Sequence, residues 1–92
     1  MSESYKGHGT LIADSEEFPC RFDLQVYLDR GLKTGSGVIV AESAALWSAF
    51  KATKSRVRMA DGRSFPIILK SVAFGSDQTP FLLAGAIVDA EN

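Results

Sequence analysis

The chain holds one cysteine and one histidine, and these are the residues with the widest chemical scope. Nucleophilic catalysis needs a thiol or hydroxyl held by a base that a third group orients. Cys20, or one of the serines, with His8 is the only pairing on offer, and its spacing argues against it. Cys20 falls in the inward register of the most regular strand, so it reads as a small buried hydrophobe. His8 lies between Gly7 and Gly9 with no second histidine and no HExxH spacing, so it reads as a surface or bulge residue rather than a metal ligand. A single cysteine also excludes a disulfide framework and a cysteine-rich zinc centre.

The other candidate chemistries are fragments. Glu16 and Glu17 are adjacent, so their side chains diverge, and a solvated turn is expected there. Gly7-His8-Gly9 and Gly35-Ser36-Gly37 resemble pieces of phosphate loops, but neither opens a helix and neither carries the Walker lysine. No catalytic residue, metal or cofactor is therefore expected, and the protein is read as a non-enzyme.

One charge anomaly survives. Residues 51–70 carry six bases (Lys51, Lys54, Arg56, Arg58, Arg63 and Lys70) against the single acid Asp61, a net of +5 in a chain whose overall charge is −1. Such a cluster can bind phosphate or an acidic partner, or serve as a solvated edge that deters aggregation. Single-strand nucleic-acid binders add exposed aromatics on which bases stack; Tyr5 and Tyr27 are the candidates, since most phenylalanines fall in core registers.

The elements that must position these residues are read from periodicity. With 92 residues, 46% hydrophobic and 23% charged, the chain suits one folded domain over 1–92 with a thin single core. Residues 19–29 alternate cleanly, Cys20, Phe22, Leu24, Val26 and Leu28 against Arg21, Asp23, Gln25, Tyr27 and Asp29, which predicts a half-buried strand with Pro19 at its start and Arg30-Gly31 at its exit. A weaker strand over 5–13 contains two glycines, as bent strands of barrels do. Residues 38–41 form a short β-branched run.

One helix is predicted over about 43–54, capped by Ser43, with Leu46, Trp47 and Phe50 as its apolar stripe and Lys51 and Lys54 in its last turn. Strands over 56–59, 65–74 and 81–88 follow. A two-residue Asp61-Gly62 turn would mix the faces of the hairpin. A three-residue loop with Gly62 left-handed instead aligns Val57 with Phe65. That places Val57, Met59, Phe65, Ile67 and Leu69 inward, and Arg56, Arg58, Ser64, Pro66, Ile68 and Lys70 outward.

The fold expected is mainly β with one helix (α+β by count), a small antiparallel five- to six-stranded barrel of order βββαββ(β). That order resembles the OB class, which inserts a helix after its third strand. A surplus of outward apolar residues, Ile68, Val72 and Phe74, must be covered by the helix or by a partner such as a second copy of the chain.

The functional expectation is a non-catalytic binding or assembly module of unspecified ligand. It contacts a macromolecule through the apolar sheet face or the basic hairpin, with a protein partner or self-association favoured. The alternative is a small single-stranded nucleic-acid-binding barrel using residues 51–70. No secretory leader or membrane-spanning run is read, and a cytoplasmic location is expected.

Overall fold

Alternating strands with short turns can bury one face only by packing against each other, and here they close on themselves. In a computed structural model, which describes residues 2–29, 32–72 and 75–88, the order is β1 (Ser2–Ala13), β2 (Glu16–Asp29), β3 (Leu32–Val40), α1 (Ser43–Lys51), β4 (Ser55–Met59), β5 (Ser64–Leu69) and β6 (Gln78–Leu83). The six strands form a closed barrel, β1-β2-β3-β6-β5-β4 around the circle, and every pairing is antiparallel. Two three-stranded meanders are thus joined edge to edge at β1·β4 and β3·β6. The helix follows the third strand, as in an OB barrel, but a sixth strand completes the circle.

Side-chain alternation sets the interior. Phe22, Leu24 and Val26 from β2, Leu11 from β1, Ile39 from β3, and Val57, Met59, Phe65, Ile67 and Leu69 from the β4–β5 hairpin are all buried in one cluster. Phe65 joins the two sides, edge-on to Phe22 at 5.6 Å between ring centroids and stacked on Phe81 at 6.1 Å. The hairpin register is the one its turn chemistry predicts. Val57 pairs with Phe65, Gly62 has φ 94°, and the Gly62 amide donates to the Met59 carbonyl while the Met59 amide donates to that of Arg63.

Several boundaries differ from the sequence reading. The helix stops at Lys51 rather than 54 because Ala52 is extended and the Thr53 and Lys54 amides donate to the carboxylate of Asp14, at 3.2 and 3.0 Å, instead of to helix carbonyls. Glu42, not Ser43, stands at the N-cap, and no side chain caps it. β2 begins three residues before Pro19. Its first five residues pair with β1 alone, because β3 reaches only to Arg21, and a strand bonded on one side tolerates proline.

The expected strand 65–74 ends at Leu69, and the last strand runs 78–83 rather than 81–88. Thr79 is 2% exposed and its hydroxyl donates to the Ser71 carbonyl, so this polar residue is drawn into the barrel wall opposite Ile39. Beyond Leu83 the Ala84 amide donates to the Pro66 carbonyl at 2.9 Å and Val88 bridges to Ser64. Arg30-Gly31 and Phe74 lie outside the described residues.

The helix does not cover the outer sheet face. It connects the end of β3 to the start of β4, packs on β1, β5 and β6, and buries Ala45, Leu46 and Ala49 in the core, closing one end of the barrel. Phe50 stays 42% exposed, edge-on to Trp47.

Candidate functional site

The outward register of the β4–β5 hairpin carries Arg56, Arg58, Ser64, Pro66, Ile68 and Lys70, none of them buried, while the alternate residues are all core. Electrostatics then divide the basic residues. Arg58 pairs with Glu17 at 2.8 Å, since β1 lies between β4 and β2 and brings the two within reach. Arg63 is held by Asp61 through its Nε, its Nη2 and its backbone amide, at 2.8, 2.8 and 3.0 Å. That guanidinium holds the Asp61 carboxyl below the usual carboxylate range, and Asp61 in turn raises Arg63.

Arg63 also lies over the Tyr5 ring, 5.4 Å from its centroid, and the Tyr5 hydroxyl donates to Glu3 at 2.6 Å. This bond to a carboxylate pushes the phenol above its ordinary value, against a smaller opposing effect of Arg63. Both residues therefore sit at the barrel mouth opposite the helix, engaged with each other rather than displayed beside Arg56.

Tyr27 is 48% exposed, but it stands ten residues beyond Glu17 along β2, a path of about 33 Å at the usual strand rise. Of the two tyrosines the structure brings Tyr5 against one of the bases, Arg63, and leaves Tyr27 apart from the hairpin. Lys51 is exposed at the end of α1, which packs on β5 and leads into β4. Lys54, Arg56 and Lys70 are exposed, and none has an ion pair among the described residues.

Those three cations flank an apolar stripe. Ile68, 55% exposed, pairs across the sheet with Leu82 at 36%, and Val38 at 42% pairs with Pro80. On one side of Ile68 a groove of about 370 Å³ is floored by Ile12, Pro66 and Ala84 and edged by Lys54 and Arg56. On the other side a groove of about 310 Å³ runs between Lys70, Val38, Pro80 and Leu82. Ile12 is 5% exposed although its register points outward. Of the other apolar candidates, Val72 turns inward, half-buried against the core, and Phe74 is outside the described residues.

Cys20 is buried opposite Gly9, and burial pushes its thiol up to about 11, far from a reactive thiolate at neutral pH. No group of three or more metal-ligating side chains occurs among the described residues, and no helix among them is long and apolar enough to cross a membrane.

Sequence reasoning missed one cluster. On the outer face of β1 and β2, His8 stands opposite Arg21 and Lys6 opposite Asp23, beside a groove of about 600 Å³. The signal was the Asp14-Ser15 turn, which fixes Ala13 opposite Glu16 and carries that register back along both strands. Compared with protein-family models, with curated proteins and with solved structures, the chain has no match in any of the three.

Proposed function

We propose that this protein is a non-catalytic binding or assembly module that contacts a protein partner through the outer face of β5, β6 and β3. Val38, Leu82 and Ile68 form the apolar centre of the contact, and Lys54, Arg56 and Lys70 form its charged margin. The observation that carries this reading is the position of the helix. Because α1 closes the end of the barrel, nothing in the described chain covers the stripe. Exposed apolar side chains in a row, edged by cations, have the make-up of an interface centre and rim. Self-association through the same face is one form of the reading. A cytoplasmic location is part of it, since a lone buried thiol asks for no oxidising compartment.

The test is sedimentation velocity over a range of concentrations, combined with a photo-crosslinking side chain at position 68. Association that Ile68→Glu abolishes at unchanged melting temperature supports self-assembly. A monomer that crosslinks to one protein partner through position 68, and loses it in Leu82→Glu, supports a heterologous contact. A monomer that crosslinks to nothing from position 68 sinks the reading.

The nucleic-acid alternative rests on the unpaired Lys54, Arg56 and Lys70. It predicts binding of single-stranded RNA or DNA that weakens steeply between low and physiological salt. No binding at low salt removes it.

A further inference from the structure

Lys6, His8 and Arg21 come together only through the β1–β2 register, on the outer face of the meander, next to the β1–β4 pairing that sets Thr10 opposite Arg58. His8 and Arg21 are directly opposite, so their Cβ atoms are about 5 Å apart, and Lys6 is diagonal to Arg21 at about 7 Å. All three side chains are exposed and line the groove of about 600 Å³ together with Asp23, Val38 and Val40. None of the three has an ion pair among the described residues. Asp23 is the one acid in the groove, and it accepts from the Gln25 side chain at 3.5 Å rather than closing on Lys6.

The backbone beneath the cluster is also unusual. β4 ends opposite Gly9, so residues 6–8 have no strand neighbour on that side among the described residues. Gly7, between the two basic residues, has φ 147°, which side-chain-bearing residues avoid, yet a Cβ there would touch nothing. Backbone direction rather than crowding requires this glycine.

We propose that this groove is a binding site for a small organic phosphate, with the phosphoryl group between Lys6, His8 and Arg21 and its apolar substituent against Val38 and Val40. A planar carboxylate is satisfied by one guanidinium, whereas a tetrahedral phosphoryl group has three terminal oxygens to offer three donors set around it. The valines make an ester, rather than the bare anion, the better fit. A groove of about 600 Å³ lies within the usual range for small-ligand sites. The site shares Val38 with the β5–β6–β3 face, but Lys6, His8 and Arg21 lie outside that face, so loss of phosphate binding in Arg21→Gln and loss of association in Ile68→Glu are read separately.

The experiment is a ¹H–¹⁵N NMR titration of the full chain with phenyl phosphate at constant ionic strength, and in parallel with inorganic phosphate and with a short single-stranded oligonucleotide. Saturable shifts confined to residues 6–8, 21, 38 and 40 are expected. Arg21→Gln weakens binding about tenfold or more, as loss of a charge-assisted hydrogen bond does, and Asp23→Asn tightens it. His8→Gln serves as a second variant, and an unchanged spectrum outside the groove shows that each variant is folded. Shifts elsewhere, no saturation, or wild-type affinity in both Arg21→Gln and His8→Gln overturns the site. Equal affinity for inorganic and phenyl phosphate overturns the organic ester, and oligonucleotide binding without phenyl phosphate binding overturns the small ligand.

Discussion

The β4–β5 hairpin and the β1–β2 face each bear a group of cations on the outside of the same barrel, and they behave in opposite ways. The hairpin is the more basic in sequence, yet Glu17 and Asp61 neutralise two of its arginines. The β1–β2 group is inconspicuous in sequence, yet Lys6, His8 and Arg21 have no carboxylate within ion-pair distance among the described residues. What presents positive charge to a ligand is the balance of neighbours across strands rather than the density of bases along the chain. The two regions nonetheless share one support, because Phe22 lies behind the second and Phe65 behind the first, edge to face.

That shared support gives the largest expected effect. Phe65→Ala removes a fully buried ring and should cost about 3–5 kcal/mol. For a domain of this size each kcal/mol lowers the melting temperature by about 4–8 °C. If the two faces were backed by separate cores, thermal unfolding would split into two transitions. A single, strongly lowered transition is expected.

Next is Gly9, at the seam where β1 meets β4. A Cβ there would lie 2.6 Å from the Arg58 carbonyl oxygen and 3.1 Å from the Phe22 ring, so Gly9→Ala must force the strands apart. A loss of about 1–3 kcal/mol in denaturant titration is expected, and an unchanged midpoint would show the seam to be loose.

Cys20, opposite Gly9 on the β2 side of β1, reports on the neighbouring β1–β2 pairing through pH. Its folded thiol is raised to about 11 from a usual value of 9.0, so the unfolded chain ionises first. The thiol's contribution to stability is complete below pH 9 and declines as pH rises toward 11. Alkylation of the native protein at pH 8 should be slow and should track global unfolding. Fast alkylation at unchanged stability would mean that the β1–β2 pairing opens locally.

The smallest effect belongs to the exposed ion pair. Glu17→Gln should change stability by no more than about 1 kcal/mol while releasing Arg58, so that the hairpin begins to resemble the β1–β2 face. An oligonucleotide-binding assay at low salt reads this directly, and unchanged affinity would show that the pair does not mask the arginine.

Much of the architecture was legible in local pattern. The two-residue period over 19–29, the Asp61-Gly62 loop that aligns Val57 with Phe65, and the apolar stripe with one credible helix were enough for a small antiparallel barrel and for the facing of each hairpin residue. These features depend on neighbours a few positions away, where side-chain alternation and turn geometry dominate. The helix end, the start of the last strand and the pairing of several cations depended on residues far apart in the chain, whereas Arg63 is held locally by Asp61. Asp14 reaches across to claim the Thr53 and Lys54 amides, Ile39 aligns with a buried Thr79, Arg63 settles on Tyr5, and Arg21 meets His8. Such pairings arise when the barrel closes, because closure sets the stagger between strands, and charge, burial and exposure follow from that stagger.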